Sequence, residues 1–157
     1  MFRSSDGGPE MKKISIQNDL LIPEIIRLVK DGTAVTFTPK GSSMLPFIRG
    51  GKDSVELKSA EDADVGDIVL AKVGPSAYVI HRIIRIEGNE VTLMGDGNLS
   101  GREHCRREDI LALATKIIRE GKAIDCRSAG HRYAATIWKL LLPARRYLLA
   151  VYRRIIK

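Results

Sequence analysis

The segment Thr38-Pro39-Lys40-Gly41-Ser42-Ser43-Met44-Leu45-Pro46-Phe47-Ile48 decides how the rest of the chain is read. Glycine accepts backbone angles closed to other residues, and proline fixes φ while removing an amide donor. A glycine and two serines leading into Met-x-Pro therefore describe a sharp, rigid bend that holds a hydroxyl exposed. Clusters of Ser, Gly and Pro also mark ordinary loops, so the flanking sequence has to discriminate. On the N-terminal side, residues 33–38 (TAVTFT) are β-branched and aromatic and read as a strand. Ahead of them, residues 18–30 read as a helix. Asn18 or Asp19 is its cap, Pro23 lies near its first turn, and Asp31-Gly32 ends it. Leu21, Ile22, Ile25, Ile26, Leu28 and Val29 supply its apolar face.

Beyond Arg49-Gly50-Gly51 the chain becomes a series of short strands, expected at 54–57, 67–73, 78–86, 91–94 and 111–119. Gly74-Pro75-Ser76, Glu87-Gly88-Asn89-Glu90 and Gly95-Asp96-Gly97-Asn98 are the turns between them. The alanines of 111–119 also admit a helix. Short strands at regular spacing with few helices specify a mainly β fold. The expected form is a small antiparallel barrel or coiled sheet, with an N-terminal helix and a C-terminal basic amphipathic helix.

A chain of 157 residues, 44% of them hydrophobic, suits one domain with appendages. We read residues 1–10 as a disordered leader, 11–127 as the β domain and 128–157 as a helical tail. The two cysteines, Cys105 and Cys126, form no C-x-x-C pair and no zinc-type spacing with histidine. Neither a metal nor another cofactor is expected. The first twenty residues are polar and mixed in charge, unlike the apolar core of an export signal. Nor is there a run of about 18 apolar residues that would span a bilayer. The expected location is the cytoplasm.

The net charge of +7 is concentrated in the tail. Residues 131–157 carry Arg132, Lys139, Arg145, Arg146, Arg153, Arg154 and Lys157 and no acid, which leaves the remainder balanced. Arg132, Lys139, Arg146 and Arg153 recur every seven residues, with Ile137, Trp138, Leu141, Leu142, Leu148, Leu149, Tyr152 and Ile156 at apolar positions. This is an amphipathic basic helix, kinked or restarted at Pro143. Its central cations would cost roughly 2.5–3.5 kcal/mol each inside a bilayer. Lying flat on an anionic membrane surface, at the inner face of the membrane, suits it better. Packing of its apolar stripe on the domain or on another subunit is the equal alternative. Its Leu, Ile and Trp content suits lipid or protein rather than nucleic acid.

Within the long strand lies Val79-Ile80-His81-Arg82-Ile83-Ile84, and ten residues on comes Leu93-Met94-Gly95-Asp96-Gly97-Asn98. A histidine on a strand is commonly structural and an Asp in a turn commonly a turn former, so it is their order and spacing that carry weight. Together with Gly41-Ser42-Ser43-Met44-Leu45-Pro46 and Val65-Gly66-Asp67-Ile68-Val69, they resemble the signal peptidase and SOS-repressor superfamily of serine peptidases. The resemblance covers roughly residues 33–121. It implies that Ser43, directly before Met-x-Pro, is the nucleophile, with Ser42 its neighbouring competitor. It implies His81 as the base, where bacterial members place a lysine and the archaeal and endoplasmic-reticulum branch places histidine. Asp96 is implied as the carboxylate supporting that histidine. Gly41, Ser42 and Met44 would form the substrate and oxyanion region. Gly41 stands where some bacterial members add a serine hydroxyl, so that contribution is missing.

The chemistry is coherent in its own right. A serine hydroxyl is a weak nucleophile until an adjacent base takes its proton. A neutral imidazole serves as that base near physiological pH, and a carboxylate behind it fixes the tautomer. Backbone amides at the bend, including that of Ser43, would meet the oxyanion. The expected function is therefore a serine endopeptidase acting on an extended peptide or protein segment, which pairs with a sheet edge. Small residues flanking the scissile bond are implied by the resemblance. The alternatives are an inactive peptide-binding module on the same scaffold and a membrane-peripheral or oligomerisation adaptor. Arg82 is expected to brace the site through a carboxylate, Asp96 or Asp67.

Overall fold

The computed structural model describes residues 11–14, 21–75 and 77–156. The leader, 1–10, and the expected helix caps Asn18 and Asp19 lie outside these residues. In chain order the elements are β1 (Met11–Ile14), α1 (Ile22–Lys30), β2 (Ala34–Phe37), β3 (Ser54–Lys58), β4 (Ile68–Val73), β5 (Ala77–Glu87), β6 (Glu90–Met94), β7 (Glu103–Arg106), β8 (Ile110–Arg119), β9 (Lys122–Asp125), α2 (Ala129–Leu140) and α3 (Arg145–Ile155). α1 begins at Ile22 with Pro23 in its first turn, where the missing amide costs nothing.

The strands form one sheet in the order β1-β2-β3-β8-β4-β5-β6-β7, with β9 paired to β8. All pairings are antiparallel except the parallel β1–β2. Register shifts at Glu56/Leu57, Leu70/Ala71 and Ile83/Arg85 add local twist, and the sheet curls into a half-barrel. The mainly β expectation holds. Residues 111–119 form a strand rather than a helix.

Both faces of the central strands are covered. Successive side chains point to opposite faces of a strand. On β4, Ile68 and Leu70 join a core with α1, Phe37, Met44 and Ile48, whereas Val69 and Ala71 join a second core with Ile83, Val91, Leu93 and Cys105. This explains the unbroken apolar run Ile68-Val69-Leu70-Ala71, since neither face meets water.

Three strands are absent from the sequence reading: β1, β7 and β9. The β7 segment Glu103-His104-Cys105-Arg106 falls in what the charge pattern presents as a solvated loop. Only Cys105 turns into the core. β7 nevertheless completes four antiparallel pairs with β6, from Leu93↔Glu103 to Glu90↔Arg106.

The tail restarts at proline as expected. α2 ends at Leu140, a 3-10 turn covers Leu142–Ala144, and α3 follows. Ser128 caps α2 by accepting from the His131 amide. One side of the helix pair packs on the domain, burying His131, Arg145 and Leu149. No helix among the described residues is long and apolar enough to cross a membrane.

Candidate active site

The serine bend is built from turns, with Leu45 N donating to Ser42 O and Phe47 and Ile48 N donating to Met44 O. Gly41 has φ +94°, a region that favours glycine. Asp53, fully buried, anchors the C-terminal end of the bend. It accepts from the Arg49 amide (2.8 Å) and from the guanidinium groups of Arg49 (2.9 Å) and Arg119 (2.7 Å). Burial raises its pKa, but the two guanidinium groups overcompensate, and the carboxyl is held below its usual value. Arg119 also donates to the carbonyls of Pro46 and Phe47, tying the bend to β8.

The loop after β6 lies flat against this bend. Gly97 N donates to Ser43 O at 2.8 Å. A Cβ on Gly95 would sit 2.3 Å from Ser43 O, and one on Gly97 would sit 2.4 Å from Ser42 O. Both obstacles are backbone, so only glycine permits this approach. The same point on Gly95 lies 3.0 Å from His81 Nε2, which puts the imidazole beside the serine backbone.

Ser43 and His81 line one cavity of about 220 Å³, together with Gly41, Met44, Tyr78 and Ile80. Ser42 is not among its lining residues; its carbonyl is spent on Leu45 N. Among the described residues Ser43 Oγ makes no hydrogen bond to His81, and the Ser43 amide has no backbone acceptor.

The carboxylate at the imidazole is Glu103, not Asp96. His81 Nδ1 bonds Glu103 Oε1. A carboxylate can only accept, so Nδ1 carries a proton, and in the neutral imidazole Nε2 is then the nitrogen with the lone pair. Register explains the meeting: Glu103 pairs with Leu93, and Leu93 with Ile83, two residues from His81. The sequence carries only a faint signal for Glu103, the two-residue step to the core-facing Cys105.

Asp96 belongs to the other face. His81 and Arg82 are consecutive on β5 and point to opposite sides. Arg82 Nε and Nη2 donate to Asp96 Oδ1 (2.9 Å) and Oδ2 (2.7 Å), a buried bidentate pair. Arg82 Nη1 donates to Gly66 O, and its guanidinium lies 5.1 Å from the Phe47 ring centroid. Asp67 engages Arg127 and Arg132 instead. Between the two carboxylates the sequence left open for Arg82, the structure selects Asp96.

His131, from α2, packs edge-on to Phe47 and receives a 3.4 Å contact from Arg82 Nη2. Burial, and then the Arg82 charge, hold its pKa below 6.5. The folded state therefore binds fewer protons than the unfolded chain between the two pKa values. Stability from this group is complete above about pH 6.5 and is lost as pH falls below it. Melting scans should show a drop in Tm on acidification to pH 5 that is smaller in His131→Gln; equal slopes would remove His131 from the effect.

The two thiols are poor nucleophiles in the folded protein. Burial pushes Cys105 up to about 11 and Cys126 up to about 12. Both stay protonated at neutral pH, and the thiolate is the reactive form. Iodoacetamide should leave both unmodified in the native protein and alkylate both in guanidinium chloride. Native labelling of either would contradict this.

The chain matches no protein-family model and no curated protein.

Proposed function

We propose that the chain is a serine endopeptidase of the signal-peptidase-like type, with Ser43 as nucleophile, His81 as general base and Glu103 as the carboxylate orienting the imidazole. The observation that carries this reading is the placement of His81. Its Nδ1 is held by Glu103, while its Nε2 lies against the Ser43–Gly95 contact at the cavity that Ser43 lines. In the reaction, His81 Nε2 takes the Ser43 proton as Oγ attacks the scissile carbonyl. It then passes the proton to the departing amine, leaving an acyl-enzyme that water hydrolyses. The Ser43 amide is a donor for the developing oxyanion.

The substrate enters as a strand. β5 pairs with β4 over Ala77–Arg82, but with β6 only from Arg82 onward. Among the described residues, 77–81 therefore have no strand on that side, an edge leading to His81 that suits an extended peptide. Ile22, Met44, Ile48, Leu70 and Tyr78 give the cavity apolar walls, and its volume suits a small apolar side chain next to the scissile bond.

The enzyme works at an anionic membrane surface. On α2, Tyr133, Ile137 and Leu140 are exposed along one stripe that Leu141 continues just past the helix end, and on α3 Tyr147, Leu148, Val151 and Ile155. Leu140 is 75% exposed. Arg146 and Arg153 are exposed on α3, opposite in sign to acidic lipids, whereas Arg132 is paired with Asp67. Incubation of wild type and Ser43→Ala with a random extended-peptide library, read by mass spectrometry, tests the chemistry. Cleavage after small residues by wild type alone is expected. Identical peptide profiles would favour a binding module on the same scaffold.

A further inference from the structure

A second cavity, of about 330 Å³, lies between β5, the loop after β6 and the helices α2 and α3. Its walls carry five cations, Arg82, Arg102, Arg132, Lys139 and Arg145, against a single carboxylate, Asp96. That carboxylate is already engaged bidentately by Arg82, and Arg132 is paired with Asp67 at 3.3 Å. Arg102 and Lys139 are exposed and have no polar partner among the described residues. Arg145 is only 4% exposed. It donates to Asn98 O (3.0 Å) and Trp138 O (3.1 Å), but its Nε has no partner among the described residues, and no carboxylate bonds it. Its guanidinium lies 5.2 Å from the Trp138 ring centroid, and the only acid that acts on it among the described residues, Asp96, is already bonded to Arg82. A buried cation that shares its counter-charge with a second guanidinium leaves the cavity with an excess of positive charge.

We propose that this cavity binds a phosphate-bearing anion, with Arg145 as the buried cation and Arg102 and Lys139 as the solvent-exposed ones. Guanidinium groups match the several acceptor oxygens of phosphate, and a phosphate monoester carries about −1.5 to −2 charge, suited to the positive excess of the walls. Burial depresses the Arg145 pKa, Asp96 opposes that shift, and the Arg82 charge adds to it. Ala135, Trp138 and Leu142 give the cavity an apolar side, which suits a glyceryl or short alkyl group attached to the phosphate. The ligand is either a soluble phosphate ester or the headgroup of a lipid in the surface on which α2 and α3 lie.

Calorimetric titration with glycerol 3-phosphate tests the soluble source, with sodium chloride at matched ionic strength as control. The lipid source is tested by co-sedimentation with phosphatidylglycerol vesicles, set against phosphatidylcholine vesicles brought to the same surface charge with oleate. The variant is Arg102→Gln/Lys139→Gln, whose two positions are exposed and leave the fold intact. Saturable binding of glycerol 3-phosphate, weakened about tenfold or more in the variant, is expected if the ligand is soluble. Preference for phosphatidylglycerol over oleate vesicles, lost in the variant, is expected if it is a headgroup. Equal response to both vesicle types with no saturable soluble binding would reduce the cavity to general surface charge and overturn the proposal, as would any binding unaffected by the variant. Both readouts measure binding alone, so a failure here is separable from a failure of the serine chemistry.

Discussion

Glu103→Gln is expected to slow acylation of Ser43 by roughly 10²- to 10⁴-fold, with the fold intact. The carboxylate accepts from His81 Nδ1 and so leaves Nε2 free to take a proton. A glutamine of the same shape offers an amide donor as well, and a donor at Nδ1 favours the opposite tautomer, with the proton on Nε2. It also withdraws the negative charge that stabilises the imidazolium. Glu103 is partly exposed at the edge strand β7, so Tm should move by no more than about 2 °C. The rate of labelling by a serine-reactive probe measures the effect. An unchanged rate would show that Glu103 has no part in orienting His81.

Asp96→Ala is expected to act mainly on stability. It strips the counter-charge from Arg82, which remains buried among Phe47, Gly66 and His131. Breaking one side of such a pair costs about 3–5 kcal/mol, which is roughly 6–20 °C in Tm for a domain of this size. The loop of Asp96 also receives Trp138 Nε1 on its carbonyl (2.6 Å) and Arg145 on Asn98 O (3.0 Å), so docking of the tail should loosen with it. The double variant Arg82→Met/Asp96→Leu should recover most of the loss, because no unpaired charge then stays buried. Thermal melts of the single and double variants decide the matter. An Asp96→Ala protein that melts normally but fails to acylate would instead return Asp96 to the role of supporting His81.

These two expectations mark the boundary of what the sequence could reveal. Elements whose side-chain pattern is imposed by burial were legible: the strand before the bend, the two-faced β4, the long β5, and the helix restart at Pro143. β7 and β9 were not, because edge strands with solvent-facing charges carry little alternation, and Glu103-His104-Cys105-Arg106 offers one core residue in four. The exchange of carboxylates follows from the same blindness. Whether Asp96 or Glu103 reaches the imidazole depends on the β6–β7 register and on His81 and Arg82 facing opposite ways. The register is not written locally, and the charge pattern of the strand carrying Glu103 is that of a solvated loop. Gly95 and Gly97, by contrast, were visible as a turn, and their physical reason is the backbone of Ser42 and Ser43 pressed against them. Of the alternatives the tail posed, packing on the domain is seen at His131, Arg145 and Leu149, and a separate stripe of the same helices stays exposed.

The most direct measurement is covalent labelling by a fluorophosphonate, with the modified residue mapped by peptide mass spectrometry, on wild type, Ser42→Ala, Ser43→Ala and His81→Ala. The adduct should appear on Ser43 in wild type and in Ser42→Ala, and should be lost in Ser43→Ala and His81→Ala. Labelling that survives in Ser43→Ala, or that is absent from the folded wild type with and without phosphatidylglycerol vesicles, would contradict an activated serine at this bend.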